Sequence, residues 1–144
     1  MPSASTTFSG SLAAAPDLPA EAHVLVIDGD EDVLERTRDV LEGEGYRVSV
    51  ADLPDIGLVR RVAPDAIVLG LLFRGRPMGL EFLELHAADP TTARVPVLVR
   101  AAAADVDDIQ WRRLVTLARL VVPPEAETAE LLGQLRTSLR LAAA

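Results

Sequence analysis

From residue 23 onward the chain alternates between short, nearly continuous apolar runs and longer segments whose apolar positions recur with helical spacing. His23–Ile27 (HVLVI) predicts a buried strand that ends in the polar turn Asp28-Gly29-Asp30. A helix is expected over 31–44, with Val33, Leu34, Thr37, Val40 and Leu41 on one face and Glu35, Arg36, Arg38, Asp39 and Glu42 on the other. Asp30 suits its N-cap, and Gly43 or Gly45 its stop. Tyr46–Ala51 reads as a second strand. Pro54–Val62 reads as a short helix with Ile56, Val59 and Val62 inward.

Asp65–Leu72 (DAIVLGLL) is apolar almost throughout, as a central parallel strand covered on both faces must be. A Gly-, Arg- and Pro-rich loop (Arg74–Pro77) leads to a helix over 79–88. A strand follows at Val95–Arg100, then a helix at Asp105–Ala118, a short strand at Arg119–Val122, and a last helix running to about Leu141. Leu131, Leu132, Leu135 and Leu139 form the inner stripe of that last helix. Five strands alternating with five helices predict an α/β fold: a five-stranded parallel sheet, doubly wound, in a three-layer sandwich with right-handed crossovers. Chemistry in such folds lies beyond the carboxyl ends of the strands.

Composition narrows the options. The chain has 144 residues, 49% of them apolar, enough for one domain with its own core. Residues 1–21, rich in Ser, Thr, Ala and Pro, read as a flexible tail, and 22–144 as the folded domain. The tail has neither the basic start nor the apolar run of a signal peptide, and no apolar run is long enough for a membrane span; a cytoplasmic protein with no membrane partner is expected. Net charge is −8, which argues against nucleic acid as a partner. Cysteine is absent, and all 14 basic residues are arginine, so disulfides, thiolates and lysine chemistry are excluded.

Four segments in order carry a family resemblance: VLVIDGDEDVLERTRDVLEGEGYRV (24–48), PDAIVLGLLFRGRPMGLEFL (64–83), ADPTTARVPVLVRA (88–101) and RLVVPP (119–124). Together they resemble the response-regulator receiver (CheY-like, flavodoxin-like) domain over roughly residues 23 to 141. The resemblance implies phosphoryl transfer to an aspartate ending the third strand. It also implies a magnesium ion held by that aspartate and an acidic pair after the first strand, a hydroxyl ending the fourth strand and a lysine ending the fifth. A phosphoryl group brings several negative charges, and these groups offset them.

Placed on this sequence, the acidic pair falls on Asp28 and Gly29, the acceptor on Gly70, the hydroxyl on Ala101 and the lysine on Pro123. Only Asp28 keeps its chemistry. The expectation is therefore a degenerate pseudo-receiver that takes no phosphoryl group, binds no metal and no cofactor, and is not an enzyme. The loop between Gly70 and Gly79 is one residue longer than the family's, and the Pro123–Pro124 bond is expected to be cis, as the family's tends to be.

Other candidate groups read more simply. Asp30 and Glu31 are expected to cap the first helix rather than hold a cation. Arg74, Arg76 and Arg100 are expected to face water, although Arg100 lies within reach of the emptied phosphate site. His23 and His86 lack partners at metal spacing. Helix four is expected to turn Val106, Ile109, Leu114 and Leu117 toward the sheet, leaving Trp111, Val115 and Ala118 on a second side; with Leu120 they form a candidate partner surface. In receiver domains the face of helix four, strand five and helix five commonly mediates dimerisation and partner contact. A stand-alone signalling module is thus expected, meeting a kinase, regulator or output protein, or a second copy of itself, through this face. The alternative is a small-molecule sensor, for which Gly70 and Ala101 would leave space lined by Arg100 and Val99.

Overall fold

The computed structural model describes residues 22–123 and 128–143. Its strands are β1 (His23–Ile27), β2 (Arg47–Ala51), β3 (Ala66–Gly70), β4 (Val97–Arg100) and β5 (Leu120–Val122). Its helices are α1 (Glu31–Gly43), α2 (Ile56–Val62), α3 (Met78–Ala88), α4 (Asp108–Leu117) and α5 (Thr128–Ala143). All strand pairs are parallel, in the order β2-β1-β3-β4-β5. The order reverses between β1 and β3, which opens a crevice at their carboxyl ends. Architecture and element order match the sequence expectation. The expected tail, the Pro123–Pro124 bond and Ala144 lie outside the described residues.

Strand alternation divides the apolar side chains between two cores. Leu25, Ile27, Ile67, Leu69, Val97 and Val99 pack with Val59 of α2, Phe82 and Leu83 of α3 and Leu114 of α4. Val24, Val26, Ala66, Val68 and Leu98 pack with Leu34 and Leu41 of α1 and with Leu131, Leu135 and Leu139 of α5. Both faces of the sheet are therefore covered, and β3 is buried along its whole length. Local chemistry sets the helix ends. Asp30 accepts from the Asp32 and Val33 amides. Asp55 caps α2, and Asp107 with Gln110 forms a reciprocal capping box on α4. After α1 the chain reverses at Gly45, whose φ of +95° suits glycine.

Helix α4 differs from the expectation. A separate 3-10 turn covers Ala103–Asp105, and the helix starts after its cap at Asp107. Ile109 is 76% exposed rather than inward. The other residues expected inward, Val106, Leu114 and Leu117, do pack on the core, and Trp111 and Ala118 join them. Leu114 is fully buried, and Trp111 and Ala118 pack half-buried against the same core. Trp111 thus turns part of its surface inward, while Val115 is exposed and Leu120 half-buried.

Replacing Ile67, fully buried in the central strand, with Ala is expected to cost about 2–5 kcal/mol in urea denaturation. Leu85→Ala, on the exposed side of α3, is expected to stay within about 0.5 kcal/mol.

Candidate functional site

The expected site positions do converge at the carboxyl ends of the strands. Gly70 pairs with Arg100 across β3 and β4, and Ile27 with Leu69 across β1 and β3, so Asp28 stands next to Gly70. Asp28, Gly70 and Arg100 continue the alternation of Val26, Val68 and Leu98 and so face the α1–α5 side. They form one row across the top of the sheet. Ala101 is buried beside this row, its amide bonded to the Val122 carbonyl, and Pro123 is exposed just beyond β5.

The space above Gly70 is not open. A Cβ there would come within 2.5 Å of Asp28 Oδ2 and 2.9 Å of its Cγ. The Asp28 carboxylate lies over the glycine, and its Oδ1 accepts the Asp30 amide at 3.0 Å. Burial raises the Asp28 carboxyl above the ordinary carboxylate value; the Asp30 amide and the Arg100 charge work against that rise. Arg100 does not face water as expected. It is half-buried, and its Nη2 donates to Thr37 Oγ1 on α1 at 2.6 Å. Burial lowers the guanidinium from its ordinary value, and the Asp28 charge restores part of it. This pairing also explains why Thr37, a polar residue, can be buried on the inner stripe of α1.

The second acidic position is closed from another side. A Cβ on Gly29 would meet the Leu72 carbonyl at 3.1 Å, Phe73 Cα at 3.2 Å and the Phe73 ring at 3.3 Å. Phe73 is fully buried. The loop after β3 places it there by folding into a tight hairpin in which Phe73 and Arg76 exchange backbone hydrogen bonds. Its two tip residues, Arg74 and Gly75, have φ of +54° and +77°, the consecutive left-handed pair of a type I′ turn. Beyond the hairpin, a Cβ on Gly79 would come within 2.6 Å of the Gly70 carbonyl, so glycine lets α3 begin against the end of β3. Arg74 and Arg76 are exposed, as expected.

Chemically, the row has one carboxylate, one guanidinium and no nucleophile where the third strand ends. Among the described residues no group of three His, Asp or Glu is placed to hold a metal ion. His23 bonds Ser49 Oγ at 2.7 Å at the far end of the sheet, and His86 is buried on α3. The expected space for a small ligand at Gly70 is filled by Asp28, and Val99 is fully buried.

No family model and no curated protein matches the sequence. Solved structures do. A protein of Chloroflexus aurantiacus J-10-fl described as a response regulator shares 24% identity and a TM-score of 0.71, covering 83% of this chain and 98% of its own. A two-component response regulator from Clostridium difficile gives 18%, 0.69, 83% and 97% respectively. A CheY-like receiver domain from Methylobacillus flagellatus gives 15%, 0.68, 82% and 98%. The chain has the receiver fold. Residues 28–29 and 70 stand together at the carboxyl ends of β1 and β3, and Arg100 lies near them as the sequence reading allowed, whereas the Phe73 hairpin and the Arg100–Thr37 bond are features that reading did not place. A single phenylalanine inside a Gly-, Arg- and Pro-rich loop was the available signal for the first.

No helix among the described residues is long and apolar enough to cross a membrane.

Because burial raises Asp28, the folded protein holds its proton more tightly than the unfolded chain, so ionising it costs stability as pH rises above the ordinary value of 3.8. Asp28→Asn removes that cost. The stability of the variant relative to the wild type is therefore expected to increase from pH 4 to pH 7, as read by urea denaturation at each pH; a flat difference would show that Asp28 titrates normally.

Proposed function

We propose that this protein is a receiver-fold signalling module of a two-component-type pathway that acts through protein contacts and accepts no phosphoryl group on aspartate. The observation that supports this reading is the end of β3. Gly70 supplies no acceptor oxygen, and the Asp28 carboxylate occupies the volume from which an acceptor side chain would rise. Nor does the chain contain a lysine to bind the phosphoryl oxygens. Arg100, tied to Thr37, supplies a positive charge from within the protein.

Its partners are then other signalling proteins (a kinase, a regulator or an output protein) or a second copy of the chain. The face formed by α4, β5 and α5 suits that role. Val115 is exposed there at 47%, with Trp111, Ala118 and Leu120 half-buried around it. In this reading the protein signals by its own abundance or by partner exchange and catalyses no reaction. A small-molecule sensor at the former phosphate site is not favoured, because Asp28 and Phe73 fill it.

Incubation with magnesium and acetyl phosphate tests the proposal. Intact-mass spectrometry is expected to show no added phosphoryl group, and sedimentation velocity the same association state with and without the reagent. A stoichiometric phosphoryl adduct, or an association state that follows the reagent, would overturn it.

A further inference from the structure

At the opposite end of the sheet, where β4 begins, the surface carries a groove of about 330 Å³ between the end of α3, the loop leading into β4 and the α4–β5 junction. Pro96, Val97 and Leu117 are among its lining residues, and its polar side chains are His86, Arg94 and Arg119. No carboxylate lines it. That is notable in a chain with 22 acidic and 14 basic residues. Among the described residues Arg94 and Arg119 form no ion pair, which is also true of Arg36, Arg47, Arg74, Arg76, Arg100 and Arg112; what sets them apart is that both line one groove. Asp89, which follows α3, cannot serve them: Arg60 and Thr91 hold its carboxylate.

The groove is also firmly built. The Arg119 amide bonds the Val97 carbonyl at 2.9 Å, which fixes the α4–β5 junction to β4. Buried Thr92 donates to the His86 carbonyl at 3.1 Å, which fixes the loop to α3. His86 itself is 5% exposed, with a buried, unpaired Nε2; burial lowers its pKa, and the nearby Asp89 charge and the Val95 backbone work against that.

We infer that this groove binds a compact organic anion whose carboxylate or phosphate headgroup is held by Arg94 and Arg119. Guanidinium groups match the planar, two-oxygen geometry of such headgroups. The volume stands at the small end of ligand sites, which favours a body about the size of one aromatic ring over a peptide chain. The inference is independent of the signalling proposal and concerns the other end of the sheet, so either can fail alone. The groove shares Ala118 with the α4 face, so an occupant would touch the element proposed to meet partners.

Benzoate and phenyl phosphate, with benzyl alcohol as the uncharged control, test it by calorimetry and amide chemical-shift mapping on the full chain. Saturable binding of at least one anion is expected, with shifts at Ala93, Val97 and Ala118 and none from benzyl alcohol. The anion that binds more tightly identifies the headgroup. Arg94→Ala combined with Arg119→Ala, both at exposed positions, should weaken binding about tenfold or more. Arg74→Ala, at the far end of the sheet, should leave it unchanged. Equal binding of benzyl alcohol, unaltered affinity in the double variant, binding of neither anion, or binding of a glutamate-rich peptide alone would each overturn the assignment.

Discussion

The contact on which the upper end of the molecule depends is the Asp28 carboxylate lying over the bare Cα of Gly70, with Arg100 on its other flank. A negative charge at the end of a buried strand needs compensation. Here the chain supplies it internally, through the Asp30 amide and the Arg100 guanidinium. Because residue 70 has no side chain, Asp28 can settle inward, and because Arg100 reaches α1 it bridges the width of two strands. Remove either condition and the others lose their reason: a side chain at 70 would displace Asp28, and without Asp28 the half-buried Arg100 would lack its nearest opposite charge.

Phe73 completes this closure by hydrophobic rather than electrostatic means. The hairpin at Arg74-Gly75 turns its ring against Gly29, so both positions that lack an acid are occupied by something else. The result is a sheet whose switch-point crevice is packed. The groove lined by Arg94 and Arg119 lies instead where the strands begin.

Much of the fold was legible in the sequence because both signals were strong and redundant. The runs HVLVI and AIVLG are apolar almost throughout, and the cap Asp30 stands where the first periodic segment begins. In α4 the start and one position departed from the reading: the helix begins at Asp108, and Ile109 is hydrophobic yet exposed, because burial is decided by the sheet the helix packs on, which periodicity alone cannot show, whereas Val106, Leu114 and Leu117 do pack on the core. At the site, the missing functional groups could be read position by position. What fills their places could not. The Arg100–Thr37 bond joins residues 63 apart in sequence, and the Asp28–Gly70 contact depends on two strands being neighbours in register. Such contacts arise only once the topology is fixed.

The most direct measurement is on Gly70→Asp, the substitution that would restore an acceptor by sequence alone, assayed for folding stability and for phosphoryl uptake from acetyl phosphate with magnesium. If Asp28 holds the space, the variant should be less stable than the wild type and should gain no phosphoryl group in its intact mass. A variant of undiminished stability that takes up one phosphoryl group would show that the space above residue 70 was free, and that the closure by Asp28 and Arg100 does not govern this end of the protein.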